Sequence, residues 1–448
     1  MSASSNSFRI GTGAGFSADR LDPALDLARY GKLDVMIIEC LGERTLAFAH
    51  RDRKLDPGKG YNAWLERRMR ALLPPCCEAG TTIVTNMGAA NPKGAAESTI
   101  GIARELGLAG LKVACVEGDE VTDLLEPDTP LMDEPGALRD INLPMVGANA
   151  YLGADALLPT LRAGADVVIG GRIADPSLVV APLAQRFDWS LDEWKRLGAG
   201  TLVGHLLECG MQVTGGYFAD PGKKDVPNLA RCGFPIAEVE SDGRAIITKL
   251  PQAGGCVTSA TVKEQLLYEV HDPRSYLTPD VSADFSKVQI ETIGSDRVQV
   301  SKARGTKRPD RLKVTVGFEG GFLGEAGLSY AGANSQARAR LAAEIVEERM
   351  RNVHSVQGPI RIDLVGVNSL FASSGERTTD TQDVRLHVAL RSPNLDDAEL
   401  MLWEVESLLC CGPAGGGGFR GTIVPSVVTR SVLIERERVR PTVSMLVA

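Results

Sequence analysis

Residues 81–92 read TTIVTNMGAANP, an apolar run that ends in Asn86, Gly88, Asn91 and Pro92. Ile83 and Val84 favour a strand, whereas the residues after them are turn chemistry carrying free amide groups. Other apolar runs end in the same way: LDVMIIE in Glu39-Cys40, LKVACVEGD in Glu117-Gly118-Asp119, and ADVVIGG in Gly171-Arg172-Ile173-Ala174-Asp175. Carboxylates, amides and a guanidinium delivered to one rim suit proton transfer and the binding of a carbonyl or carboxylate. In that reading Glu39 or Asp175 is the acid/base, Asn86 and the amides near Gly88 hold a carbonyl oxygen, and Arg172 binds a carboxylate. Asn91 and Glu117 contact the substrate beside them. Taken singly, Asp175-Pro176-Ser177 and Asn91-Pro92 also have the form of helix caps. As a set, the strand ends read as a site.

Other stretches supply candidates around this rim. GTGAGFSADR (11–20) holds Gly13, Gly15 and Ala18 in a G-x-G-x-x-A pattern, with Glu39 ending the next strand, which resembles a dinucleotide fingerprint. The following helix starts only at Asp22, so these glycines would not set a pyrophosphate on its N-terminus. A tight substrate- or anion-binding turn with Ser17 and Arg20 is the better reading, and a dinucleotide-dependent oxidoreductase stays as an alternative. His205, Glu208 and Cys209 are helical neighbours that, with His271, offer metal ligands, but no zinc spacing is present and no metal is expected. VTGGYFADPG contributes Thr214, Gly215 and Tyr217, and TVKEQLLYEVHDP contributes Lys263; Tyr217 and Lys263 would close the site from a second region. Lys263-Glu264 reads equally as a solvated helix start. In CCGPAGGGGFRG, Gly415 and Gly416 offer an anion-binding nest, with a plain linker as the alternative. Neither a G-x-S-x-G elbow nor a P-loop is present.

The elements that must position these residues are legible. Strand-like runs at 8–11, 33–39, 81–86, 111–119 and 165–171 alternate with helical patterns at 22–31, 60–73, 92–107 and 154–165. That alternation predicts an α/β domain over 8–200 with a buried, mostly parallel sheet flanked by helices, and ligands bind such sheets outside the carboxyl ends of the strands. Asp22-Pro23 reads as an N-cap with a first-turn proline, and Gly31, Gly107 and Gly164 as residues just past helix ends. Residues 201–358 form a mixed α+β region completing the large domain, with a hairpin at Asp242-Gly243. Residues 359–448 read strand, helix, strand, entered through a polar linker at 373–383.

The chain has 448 residues, 24% of them charged and 44% hydrophobic, at a net charge of -8. No clustered basic face is evident, which excludes nucleic acid as the main partner. No run suits a membrane span, and MSASSNSFRIG lacks a signal-peptide core, so a cytosolic protein is expected. The 9 scattered cysteines read as reduced thiols.

The blocks GTGAGFSADRLDPALDLA, VTNMGAANPKGAAE, ANAYLGADALL, GGRIADPSL, AGTLVGHLLECGMQVTGGYFADPG and TVKEQLLYEVHDPRSYLTPDV resemble the acyclic terpene utilisation protein A (AtuA) family. The resemblance covers nearly the whole chain and implies a large domain over 8–355 and a small ferredoxin-like domain over roughly 360–448. It also implies a catabolic role in acyclic terpene or branched-acid degradation, on a branched acyl-CoA or its carboxylic acid, with CoA entering as part of the substrate and no separate cofactor. The expected activity is that of a lyase, hydratase or acyl-CoA hydrolase. A non-catalytic partner of the acyl-CoA carboxylase machinery is the rival. A glycine loop able to reach a neighbouring subunit suggests a homo-oligomer.

Overall fold

A computed structural model describes residues 7–370 and 382–448. Residues 373–381 of the expected linker lie outside them. The chain folds as two compact units, Met1–Gly317 with Thr429–Ala448, and Phe318–Val428.

In the larger unit the apolar runs become strands β1 (Phe8–Ala14), β2 (Val35–Ile38), β3 (Thr82–Thr85) and β4 (Lys112–Glu117). After β5 (Met145–Ala150), which pairs with the long strand Arg311–Ala331, comes β6 (Val167–Gly170). Strands β1, β2, β3, β6 and β4 lie side by side in that order, all parallel, with Val35 opposite Thr82 and Ile83 opposite Val167. Their interiors are buried, as expected for a sheet covered on both faces. The parallel core is extended by antiparallel strands on both sides. The expected hairpin forms as β7 (Pro235–Val239) and β8 (Ala245–Lys249), turning at Gly243 with φ 88°, and β7 pairs with β1. Arg297–Ser301 and Gln289–Gly294 follow β8, and Thr442–Val447 pairs with β4 at the opposite edge. Among the described residues this makes a ten-stranded mixed sheet.

Helices α1 (Asp22–Tyr30), α2 (Glu43–Leu55), α3 (Leu65–Ala79) and α4 (Pro92–Glu105) follow the first strands. Helices α5 (Ala154–Arg162), α6 (Ser177–Phe187), α7 (Trp194–Glu208) and α8 (Ser259–Leu267) come after β5. Leu27, Leu72 and Ile100 of α1, α3 and α4 share one cluster with Met36, Ile38, Ile83 and Ile169 of the sheet. Helix α7 is buried at every residue from Leu197 to Glu208, so it carries no polar stripe. Gly107 and Gly164 take φ 71° and 72° just past helix ends, as read, but Gly31 stays right-handed at φ -73°. Asp22 is the first helical residue and not the cap: Leu21 precedes it without a side-chain cap bond. Helix α2 escapes the periodicity reading because only Leu46, Ala47, Ala49 and His50 of its 13 residues are buried. Among the described residues no helix is long and apolar enough to cross a membrane.

The smaller unit runs strand, helix, strand, strand, helix, strand, its helices being Ser335–Glu348 and Leu395–Cys411. Numbered along this unit, its strands lie in the order second, third, first, fourth. That is the ferredoxin-like arrangement. Its first strand and helix come from 318–348, and residues 429–448 return to the larger unit.

Candidate active site

The carboxyl ends of β1, β2 and β6 open into a cleft of about 1030 Å³, lined among others by Gly15, Glu39, Cys40, Glu43, Tyr151, Arg172, Asp175, Glu208, Cys209, Tyr217 and Lys313. Glu39 follows the last residue of β2 and is 9% exposed. Its Oε1 accepts from the Leu41 amide at 2.6 Å and from Asn86 Nδ2 at 3.1 Å. Burial pushes this carboxyl up to about 7, against the Leu41 and Asn86 hydrogen bonds and the Arg172 guanidinium, and the charge of Glu208 adds to the rise. A carboxyl poised there exchanges its proton at neutral pH.

Arg172 is 2% exposed. Its backbone amide donates to Asp119 Oδ2 at 2.7 Å, its Nη1 donates to the Leu41 carbonyl, and its Nη2 lies 3.7 Å from Asp175. The guanidinium sits 4.0 Å from the Tyr151 ring centroid. Burial works against its charge, but Tyr151, Asp175, Glu43 and Glu39 outweigh burial and keep it protonated. Burial likewise holds the Asp175 carboxyl well above the ordinary range despite Arg172, and Glu39, Glu208 and Glu43 push it further up. Both Arg172 Nε and Asp175 Oδ1 are buried without a protein hydrogen-bond partner. Glu43, at the start of α2, behaves oppositely: burial raises it, yet Arg172, the Tyr151 hydroxyl at 2.6 Å and Lys313 at 3.1 Å bring it down to about 2. One cleft therefore holds an ionised carboxylate and a carboxyl that titrates near neutrality, the division of roles that acid/base enzymes use. Burial pushes the Cys40 and Cys209 thiols up, so both hold their protons at neutral pH.

Several expected site residues serve the scaffold instead. Asn86 is fully buried and does not line the cleft: its Oδ1 accepts from the Cys40 amide at 2.8 Å and its Nδ2 holds Glu39. It positions the carboxyl and does not face a substrate oxygen. Gly88 is pinned by its own amide to the Gly170 carbonyl at 3.0 Å, and a Cβ there would lie 2.5 Å from that oxygen, so no ligand approaches its backbone. Asn91 caps α4, accepting from Gly94 N at 3.0 Å. Glu117 pairs across the sheet with Thr442 and is not a cleft residue.

The glycine turn is not a phosphate cradle. Gly15 N donates to Asp19 Oδ2 at 2.9 Å, and a Cβ on Gly15 would lie 2.4 Å from the Cys209 carbonyl carbon. Gly13 packs on Ile38 and Met36. Ser17 and Arg20 do line the cleft, with Ser17 Oγ accepting from Asn62 at 2.9 Å and Arg20 donating to the Ala230 carbonyl at 3.2 Å. We expect Gly15→Ala to destabilise the fold by about 1–3 kcal/mol through this backbone clash, read as a lowered Tm.

Thr214 Oγ1 donates to the Gly233 carbonyl at 2.6 Å, and Gly215 makes a turn at φ 105°. Tyr217 stands at the rim of the cleft, 88% exposed, while Lys263 lines a different, outer pocket. Gly415 and Gly416 belong to the smaller unit, where Gly416 packs on Leu328 and Tyr330. His205 binds Glu208 through Nδ1 at 2.7 Å, and His271 is exposed. Among the described residues no set of three or more such side chains is arranged to hold a metal.

Glu43, Tyr151 and Lys313 were not read from the sequence, and Glu208 was read only as a metal candidate. The signal available for Tyr151 was its place directly after an apolar run, beside Leu152 and Gly153.

No curated protein matches the chain. Among solved structures, the de novo designed protein Ferredog-Diesel matches with 16% identity over 23% of this chain and 87% of that one, at a TM-score of 0.17. A family model described as acyclic terpene utilisation family protein AtuA matches residues 8–445, and the chain therefore belongs to the AtuA family of acyclic terpene utilisation proteins.

Proposed function

We propose that this protein is a catabolic enzyme of acyclic terpene or branched-acid degradation, which moves a proton at the carbon next to a carbonyl of a branched carboxylic acid or its acyl thioester. The reaction is of lyase or hydratase type. What carries this reading is Glu39: a buried carboxyl near neutrality, held from behind by Leu41 and Asn86, at the strand ends of a cleft that also holds Arg172.

Both hydrogen bonds to Glu39 fall on Oε1, which leaves Oε2 for the proton. In the forward direction Oε2 removes a proton from the carbon beside the carbonyl, and the C–H electron pair moves into an enolate. Arg172 and Lys313 stabilise the negative charge that builds on the enolate oxygen, an effect that grows in a water-poor site. The proton held by Asp175 is available to a departing hydroxyl, or to the carbon released in a lyase step. The step needs no separate cofactor.

The test is proton exchange in D2O. Wild-type protein incubated with branched acids and their thioesters should introduce deuterium next to the carbonyl, and Glu39→Gln should not. A ligand at 100 times its Kd should also raise stability by about 2.7 kcal/mol. The absence of both exchange and stabilisation across a panel of such compounds would overturn the reading.

A further inference from the structure

Glu208 is the last residue of α7 and lines the cleft, where it is 8% exposed. Three features of that position work against a carboxylate. It is buried, it sits at the negative end of a helix, and its charge acts on Glu39 and Asp175. A position that breaks several rules at once is expected at a working site. The acid/base steps given above leave it unused.

One side chain answers this carboxylate. His205 Nδ1 meets Glu208 Oε1 at 2.7 Å, and the fully buried ring packs against Tyr276 and Phe285, with centroids 5.1 and 5.8 Å away. His205 Nε2 donates to the Leu266 carbonyl at 3.3 Å, because a carbonyl only accepts. Nδ1 is thereby left to Glu208. Burial works against a charge on His205, but the charge and hydrogen bond of Glu208, with the Leu266 and Gln265 backbone, outweigh it and raise the imidazole above its ordinary value. That favours an imidazolium on a carboxylate.

A buried ion pair is favourable when further hydrogen bonds satisfy its remaining lone pairs. Here Oε1 takes the histidine, while Oε2 has no hydrogen bond among the described residues and is not sealed from solvent. The space it opens to is the cleft. Glu39 is built in the same way, with both of its hydrogen bonds on Oε1. Asp175 differs: its Oδ1 is buried without a partner, and burial holds its carboxyl well above the ordinary range, which suits it to keep a proton and not to take one.

We propose that Glu208 is a second catalytic acid/base of this cleft, acting on the substrate oxygen through Oε2, and that His205 is its positioning residue. This role rests on the acid/base reading of Glu39 and narrows it to hydration of a double bond conjugated with the carbonyl. Glu208 Oε2 takes a proton from water, the water oxygen bonds to the carbon one further from the carbonyl, and the C=C electron pair moves into an enolate. Glu39 Oε2 then gives its proton to the carbon beside the carbonyl. Exchange with solvent returns both carboxyls to their starting forms. In this branch the oxygen's proton belongs to Glu208, and that of Asp175 stays in place.

Two N-acetylcysteamine thioesters separate the two carboxyls. The 3-methylbutanoyl ester reports proton exchange beside the carbonyl in D2O, which needs Glu39. The 3-methylbut-2-enoyl ester reports hydration, as loss of enoyl absorbance, which needs both groups. Wild-type protein should carry out both reactions. Glu208→Gln should lower hydration by about 100-fold or more and exchange by less than about tenfold, a split that a loss of folded protein does not produce. His205→Gln should move the acid limb of the hydration pH profile up by about one unit, because a carboxylate stripped of its counter-charge binds its proton at higher pH. Glu39, Asp175, Cys209 and Tyr276, the titratable groups that feel its charge, are unchanged in that variant. Undiminished hydration by Glu208→Gln, equal losses of both reactions, or an unmoved limb in His205→Gln overturns the assignment and leaves the pair to the fold. If the wild type exchanges and does not hydrate, the role of Glu208 falls while the reading of Glu39 stands. If it does neither, the reading of Glu39 falls and takes this role with it.

Discussion

Glu39→Gln should lower kcat by roughly three orders of magnitude, within the range that a positioned acid/base contributes, and should at the same time stabilise the protein above neutral pH. The two effects share one cause. Glu39 has a carboxyl near 7 in the folded protein against 4.5 for an ordinary glutamate, so the native state holds its proton more tightly than the unfolded chain does. Folding stability therefore falls as pH rises from 4.5 through 7, and the full penalty is present above 7. The shift corresponds to about 3 kcal/mol. Glutamine keeps an acceptor for Leu41 and Asn86 without the charge, so it removes that penalty. Denaturant titrations at pH 4 and pH 8 should find the variant and wild type alike at the lower pH and the variant more stable at the higher one. Equal stabilities at pH 8 would mean that Glu39 carries no desolvation cost, and the argument for its catalytic proton would go with it.

The sequence made the strand ends legible because a parallel sheet buried on both faces has few other places for polar chemistry. Glu39, Arg172 and Asp175 meet in one cleft for that reason. What misled was glycine. Gly15 and Gly88 are demanded by backbone packed on backbone, Cys209 in one case and Gly170 in the other, and in a sequence this looks the same as a glycine demanded by a ligand. Asn86 was found but its task was not: strand-end position identifies an amide near the site, while only the fold shows that Cys40 and Glu39 take up its polar atoms.

The residues that escaped come from distant segments. Glu43 opens a helix with few buried positions, Tyr151 follows a strand outside the parallel core, and Lys313 lies on a strand whose backbone carbonyl accepts from the Tyr151 amide at 2.9 Å. Their meeting is a product of tertiary structure, with no local spacing to announce it. The same holds for Thr442–Val447, which completes the sheet beside β4 more than 300 residues after it.

Arg172→Met should be the most damaging single change to the fold. Methionine matches much of the volume, so the cavity is small and the loss is electrostatic. The guanidinium is a nearby counter-charge to Glu39, Glu43 and Asp175 alike, and removing one partner from a buried charge cluster typically costs about 3–5 kcal/mol. The cost depends on pH in a defined direction. Without Arg172 the proton affinities of Glu39 and Asp175 rise further, so both remain protonated at pH 5 and impose little there, whereas at pH 8 they must either ionise unpaired or hold protons against the solution. Glu43 is still ionised at pH 5 and loses the stronger of its two counter-charges while keeping Lys313, so the defect shrinks on acidification without vanishing. Arg172→Lys should recover little, because a single ammonium cannot reach the Leu41 carbonyl and Asp175 at once while lying flat on Tyr151. Chemical denaturation of the Met and Lys variants at pH 5 and pH 8 checks this. A methionine variant as stable as wild type at pH 8 would show that the cleft carboxylates are already protonated or solvated there, and Arg172 would then be free to act on the substrate alone.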